Sequence, residues 1–567
     1  MDAYDVVIVG GGPGGSTTGT LLRRYAPTAR VLILERERFP RDHVGESQLP
    51  PIGAILAEMG CWDEVEAAGF PIKIGATLRW GREETLWDFD FIPYGKLEPK
   101  PRPSRFEGQR TKTAFQVDRA KYDDILLRRA ATLGCEVRQG TKVTGVRSNG
   151  DRIEALELSD GSTVKGRWYV DASGGAGVLR RAMNVPVETP GQLRNVACWD
   201  YWENVEWAEE IGVEGTRVQV LSIGHGWIWF IPVSATRASI GLVVPAEYYK
   251  QSGRSLPELY REAVAAEPRV AALTANAKAR EQPESTKDWS FLAARTFGDN
   301  WFLVGESVGF ADPILAAGMT LTQSGGRELA HTLAALLSNA HDAAWLEAHY
   351  DENQRTRIAQ HIRFADFWYA ANGQFSDLEE HCKTIAADAG LNLSAEDAWR
   401  WLAQGGFAHD VPGQPMVGGY DLASVKMVTQ KFLGEPAEWT LSRVNHLRLN
   451  VDGATRIEVP HYRGGTVHKV VAFERNGQRL QMVGMVGLAA QSILKHADAQ
   501  TMAKALQAEL IGRMGPQGGK FAFPTALQAV EQLLGEGWVE GSVVEGRPFV
   551  RLTTPDEGGG VHTHTTG

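Results

Sequence analysis

Asp5-Val-Val-Ile-Val-Gly-Gly-Gly-Pro-Gly-Gly15 is an apolar strand that runs straight into a glycine turn. Each glycine has a physical reason. Gly10 makes the tight turn out of the strand, Gly12 lets a pyrophosphate approach the backbone, and Gly15 lets the following helix pack closely with its N-terminus toward the phosphates. Val31-Leu-Ile-Leu-Glu35 reads as the second strand, and its terminal Glu35 stands where a ribose hydroxyl is held. Strand, glycines, helix and acid in this order predict a dinucleotide-binding βαβ unit.

Within the same βαβ length comes a rarer string, Phe39-Pro-Arg-Asp-His-Val-Gly-Glu-Ser47. Downstream, Ala76 to Trp80 and Trp87 to Phe91 alternate as a strand pair. Gly95 to Gln109 is a Pro- and basic-rich loop, read either as a solvated excursion or as a substrate lid. Ala114-Phe-Gln-Val-Asp-Arg119 leads into a helix, and Lys165 to Val170 climbs back into the nucleotide sheet. The Trp-rich stretch from Val185 to about Lys287 predicts an antiparallel sheet walling a pocket, and Trp301-Phe-Leu-Val-Gly305 another buried strand before a long helix ending near Ser338.

The chain has 567 residues, too many for one core, so about two to four domains are expected. Apolar residues make up 43% and charged residues 23%, ordinary values for a globular protein. No apolar run reaches the roughly 18 residues of a membrane span, and no basic leader precedes the first strand, so the expectation is a cytoplasmic protein with no membrane partner. Cys61, Cys135, Cys198 and Cys382 form no CxxC pair, which predicts neither disulfides nor a metal site. A net charge of −10 argues against nucleic acid as a partner, even though the helix and β-rich end from Ala529 to Leu552 looks like a winged helix. Seventeen tryptophans suit a large pocket for flat or apolar ligands.

Together these motifs resemble the flavin-dependent halogenases, a branch of the FAD monooxygenase superfamily with the p-hydroxybenzoate hydroxylase-like fold, closest to the chloramphenicol-biosynthesis type. Four pieces carry the resemblance: Phe39-Pro-Arg41 through Gly45-Glu-Ser47; Lys73 ahead of Thr77-Leu-Arg-Trp-Gly81; Gly226-Trp-Ile-Trp-Phe-Ile-Pro232; and Gly305-Glu-Ser-Val-Gly-Phe-Ala-Asp-Pro313. The fold it implies is α/β (α+β), a Rossmann-like FAD-binding domain with an interleaved antiparallel-sheet substrate domain and a C-terminal mixed α/β region ending in a winged-helix-like unit. The expected divisions are 1-75, 110-180 and 288-345 for FAD, 76-109 and 181-287 for substrate, and 346-378 for connecting helices. Residues 379-554 would form the C-terminal domain and 555-567 a disordered tail.

The resemblance implies a cofactor set of Gly10, Gly12, Gly15, Glu35, Arg36, Arg41, Gly45, Glu46, Ser47, Arg119, Asp288, Gly305, Glu306, Asp312, Pro313, Gly318 and Met319. Lys73 is its catalytic lysine, either donating to hypohalous acid as an ammonium or forming a chloramine as an amine. Trp227, Trp229, Ile231 and Pro232 would wall substrate from flavin. Asp288 stands near the flavin ring, where it can contact or esterify the dimethylbenzene edge. In the implied reaction a separate flavin reductase delivers FADH2, oxygen gives a C4a-hydroperoxide, and chloride or bromide attacks it. The hypohalous acid then passes to Lys73 and halogenates a small-molecule or carrier-protein-bound substrate of secondary metabolism, as in antibiotic biosynthesis. One departure stands out: Ile314-Leu-Ala-Ala-Gly-Met319 replaces the family's serine- and histidine-bearing halide loop, leaving backbone donors at Ala317 and Gly318 as the halide nest. That departure keeps a second class open, an FAD-dependent hydroxylase, dehydrogenase or reductase of the same fold without halogenation.

Overall fold

The computed structural model describes residues 4–80, 86–91, 102, 110, 113–189, 194–207, 215–287, 290–371, 416–417, 420–422, 426, 439–550 and 561–563. The chain divides into two compact units. One comprises Met1–Leu78, Lys96–Asp366 and Tyr462–Val467, and the other Arg79–Gly95, Phe367–His461 and His468–Gly567.

The first unit begins β1 (Tyr4–Val9), α1 (Pro13–Tyr25), β2 (Val31–Glu35), α2 (Ile52–Met59), β3 (Ile72–Arg79), β4 (Ala114–Phe115), α3 (Arg119–Thr132), β5 (Glu136–Gln139) and β6 (Gly166–Asp171). It continues β7 (Asn195–Glu203), β8 (Gly215–Ser222), β9 (Trp227–Pro232), β10 (Arg237–Pro245), α4 (Leu256–Ala266), β11 (Phe297–Gly298), β12 (Trp301–Leu303) and α5 (Gly318–Ser338).

The nucleotide sheet runs in the order β11-β12-β6-β1-β2-β5, parallel throughout except for β11. Its strands are apolar on both faces, as a sheet covered on both sides requires. Val6, Ile8, Val31 and Ile33 enter a core with Leu21, Leu126, Leu329 and Leu333 from the helices. Val7, Val9, Leu32 and Leu34 enter the opposite core with Tyr169, Trp301 and Leu303. The expected return of the chain through β6 and β12 is present: Val170 lies beside Ile8 on one side and Phe302 on the other.

The second sheet of this unit has the order β7-β10-β9-β8-β3, with β4 paired to β3. Strands β7, β10, β9 and β8 are antiparallel neighbours.

The other unit contains β13 (His446–Leu449), β14 (Thr455–Arg463) as far as His461, β15 (Thr466–Arg475) from His468, β16 (Gln478–Gln481), α6 (Gly484–Lys495), α7 (Ala499–Gly535), which is kinked at Gly515, and β17 (Val539–Ser542). Its core gathers Leu447, Ile493, Met502, Leu506, Val530 and Trp538. The helix preceding β17 is as read from the sequence, but β17 pairs with β13 far upstream and 543–550 form no strand, so no local β-wing closes there among the described residues. The segment has a turn glycine at Gly546 (φ +78°) and then Pro548, which lacks a ladder donor. Val561–Thr563, expected within a disordered tail, is instead a strand paired with Trp87–Phe89. The Gly95 to Gln109 loop lies outside the described residues apart from Arg102.

Candidate functional site

The glycine turn closes as the sequence dictates. Gly10 has φ +109°, and a Cβ there would sit 2.2 Å from the Ala172 carbonyl oxygen. A Cβ on Gly15 would lie 2.0 Å from the Gly10 carbonyl oxygen, so no larger residue permits this approach of α1 to β1. Gly12 caps α1 without any side-chain cap, leaving first-turn N–H groups open, and the nearest group in front of it is Arg41 Nη2. Glu35, buried at the end of β2, accepts from the Gly11 N–H at 2.7 Å and the Glu37 N–H at 2.8 Å. These bonds fix its carboxylate beside the turn. Arg36 does not join it: its side chain is 62% exposed and pairs with Glu37.

Two of the sequence motifs, the Phe39–Ser47 string and Gly305-Glu306, meet at Arg119. Its Nε and Nη2 donate to the two oxygens of Asp123 at 2.8 and 2.9 Å, and Nη1 donates to the carbonyls of Val44 and Gly45. Arg41 reaches the same Asp123 carboxylate at 3.0 Å. The Arg119 charge also acts on Glu46 and Glu306. Burial pushes both of those carboxyls up, with Arg119 opposing. For Asp123 burial pulls the same way, but Arg119 outweighs it and holds the carboxyl below its usual range. Asp123 was not singled out from the sequence, although its spacing of four from Arg119 puts both on one helix face.

Glu46 accepts from the Tyr201 hydroxyl at 2.8 Å and from the Gly45 N–H at 2.9 Å. Tyr201 shows which way the tryptophan strand looks. Across β7, β10 and β9 the register sets Trp199 against Gly241 and Trp229, and Tyr201 against Ser239 and Ile231. Directly paired residues share a face, so Trp199, Tyr201, Trp227, Trp229 and Ile231 line the side turned toward Gly45 and Glu46. The ring centroids of Trp227 and Trp229 are 5.9 Å apart, those of Trp199 and Trp229 6.4 Å, and the Trp229 indole N–H donates to Ser239. Gly241 makes room for the slab: a Cβ there would be 2.1 Å from Trp229 Cζ2. Pro232 separates from this group. Strand alternation puts it opposite Ala238 on the other face, with Trp202, whose indole N–H donates to Tyr260 of α4.

Lys73 is the second residue of β3 and only 2% exposed. Its neighbours Ile72 and Ile74 enter the core packed around α1, α3 and α5, so Lys73 points to the opposite face. Burial pushes its ammonium down to about 7. A lysine in that range exchanges its proton near neutral pH, as a working acid or base does.

The fourth motif ends at the N-terminus of α5. Asp312 is buried and accepts from the Ile314 N–H at 2.9 Å, with Pro313 opening a short 3-10 turn. Ala316 adopts a left-handed φ of +53°, and Ala317 then caps α5 with no side-chain bond to the first-turn N–H groups. Gly305, Glu306, Phe310 and Gly318 line one small pocket. Met319 is buried with its sulfur 3.9 Å from Gln48 Nε2. Asp288 lies outside the described residues.

A family model described as tryptophan halogenase matches residues 5–100 and 94–385. The chain belongs to that family. Tryptophan 2-halogenase of Chondromyces crocatus is 32% identical over 368 residues, covering 64% of this chain and 66% of that protein, just short of two thirds of its length. A 1H-pyrrole-2-carbonyl-(peptidyl-carrier protein) chlorinase of Pseudomonas fluorescens is 30% identical over 390 residues, 66% of this chain and 85% of that protein. The solved structure of CmlS, a flavin-dependent halogenase, shares the fold along 99% of this chain and 100% of its own, with a TM-score of 0.70 at 24% identity.

FAD, the cofactor of flavin-dependent halogenases, fits the residues present. The open first turn of α1 and the Arg41 guanidinium in front of Gly12 suit a pyrophosphate. Glu35 beside the turn suits a ribose. The Ser47 hydroxyl, buried with no hydrogen-bond partner, marks a polar position that the folded chain alone leaves unsatisfied. The uncapped N–H groups of α5 suit an anion.

Proposed function

We propose that the chain is an FADH2- and O2-dependent halogenase in which Lys73 directs hypohalous acid to an activated carbon of a small-molecule or carrier-bound substrate. Reduced FAD from a separate flavin reductase supplies, when bound, the oxygen chemistry that converts chloride or bromide to hypohalous acid. Arg41 and the α1 amides hold the phosphates, Arg119 organises Gly45, Glu46 and Glu306, and the N–H groups of Ala317 and Gly318 receive the halide. The tryptophan face excludes bulk substrate from the flavin side.

The observation that carries the reading is Lys73 itself, buried in β3 with its ammonium pushed down to about 7. In protonated form it donates to the hypohalous oxygen. The halogen–oxygen bond then breaks as the carbon–halogen bond forms, and the proton leaving carbon joins the departing hydroxide as water. A desolvated site strengthens this polarisation. The carrier-bound pyrrole substrate of the Pseudomonas fluorescens relative makes a carrier-tethered acyl group one candidate class here.

The second reading, an FAD oxidoreductase without halogenation, rests on the absence of a side-chain hydroxyl at Ala316 and Ala317. Turnover with FAD, a flavin reductase and bromide separates the two. Halogenation predicts product that requires added bromide, whereas the oxidoreductase reading predicts product without it.

A further inference from the structure

Gln116 is fully buried, yet neither its amide nitrogen nor its amide oxygen has a hydrogen-bond partner. Ser47 is 7% exposed and its hydroxyl is equally unpartnered. The two residues form an antiparallel bridge, flanked by the Gln48 N–H to Phe115 carbonyl and the Val117 N–H to Glu46 carbonyl bonds. That pattern makes them a non-hydrogen-bonded pair, the kind with the closest side chains, about 4.5 Å between Cα atoms. The Gln116 N–H also donates to the Pro71 carbonyl, continuing the register in which Lys73 faces Ala114. Lys73 is therefore the diagonal neighbour of Gln116, about 7–8 Å away. Phe115 and Ile72 turn into the core, so Ser47, Gln116 and Lys73 share the face that looks away from it.

An interior rarely leaves a primary amide wholly unsatisfied. Placed between the Gly45-Glu46-Ser47 segment and Lys73, such an amide offers donors and an acceptor to a small molecule that can both donate and accept. A hypohalous acid does both, through one oxygen. We propose that Gln116, assisted by Ser47, holds the hypohalous acid on its way to Lys73, which makes Gln116 a positioning residue for halogen transfer. The proposal rests on the reading of Lys73 as the directing group.

The test compares Gln116→Leu, Gln116→Asn, Ser47→Ala and Lys73→Met, with bromide, FAD and a flavin reductase. Flavin fluorescence quenching reports FAD affinity, a dimedone-type scavenger traps free hypobromous acid, and product per FADH2 consumed reports coupling. Gln116→Leu is expected to keep FAD affinity, raise trapped hypobromous acid and lower coupling about tenfold or more. Gln116→Asn, which keeps donor and acceptor, regains part of the coupling, and Ser47→Ala loses less than Gln116→Leu. Unchanged coupling in Gln116→Leu, as if the amide held only a structural water, would overturn the proposal. Loss of FAD affinity in step with coupling would overturn it too, by assigning Gln116 to the cofactor. If Gln116→Leu does not fold, wild-type coupling in both Ser47→Ala and Gln116→Asn, without extra trapped acid, overturns it. Lys73→Met separates the two ideas: product retained there sinks the underlying reading, whereas product lost there with coupling unchanged in Gln116→Leu sinks only this one.

Discussion

Lys73 is costly to the fold because it brings an ammonium where water does not reach. Its folded value of about 7 lies below the ordinary 10.5, so between those pH values the unfolded chain binds more protons than the folded one. Stability therefore rises with pH across that window, and the penalty is complete below pH 7. Lys73→Met should be more stable than the wild type by roughly 4 kcal/mol near pH 6, with the difference shrinking toward pH 10. Urea denaturation at both pH values checks this, and a pH-independent difference would mean that the lysine is solvated. Because the acid form is assigned the work, product per FADH2 should fall as pH rises through about 7. Asp123 illustrates the opposite case, a buried carboxylate shared by two guanidinium groups. Asp123→Ala leaves both without their anion and should cost about 3–5 kcal/mol, read as a lowered denaturation midpoint. The sequence made the glycines, Arg41, Glu46 and Lys73 legible because each belongs to a string with a fixed purpose. Asp123, Tyr201 and Gln116 were not legible as site residues, since their roles come from partners far along the chain.

At the scale of elements, the two-residue period of β9 carried the correct inference that Trp227 and Trp229 share a face. The same period removes Pro232 from that face, a consequence that the motif read as a block conceals. What the period cannot supply is the strand opposite. Gly241, on β10, is invisible as a functional position until the register sets it under Trp229. Gly241→Ala would force the indole aside at a cost of about 1–3 kcal/mol in packing. The expected result is retained FAD binding with more hypobromous acid captured by an added scavenger. Scavenger signal equal to the wild type, with the variant folded, would mean that the tryptophan slab does not confine the oxidant. The α5 terminus was legible as an element but not in its conformation: only the backbone reveals the left-handed Ala316 that leads into the uncapped first turn.

At the scale of the whole molecule, the alternation of strands and helices around the glycine turn announced the nucleotide sheet. The second sheet was legible as β-rich, but its order β7-β10-β9-β8-β3 was not, because β3 is contributed from more than a hundred residues upstream of β8. Local pattern carries no information about such pairing. The end of the C-terminal region, Ala529 to Leu552, reads from sequence as a helix and wing for the same reason: the helix is local, whereas the partner of β17 is β13. These long-range pairings bring Arg119, Glu46 and Glu306 within electrostatic reach and set Lys73 apart on the face turned from the core. Halogen transfer, as proposed, depends on that lysine. The most direct measurement is mass spectrometry of products from full-length wild-type and Lys73→Met protein, each with FAD, a flavin reductase and bromide, against a phenol and a carrier-bound acyl probe. The account predicts a bromine isotope doublet with the wild type only, while Lys73→Met still binds FAD and consumes FADH2. A brominated product of equal yield from Lys73→Met would contradict it.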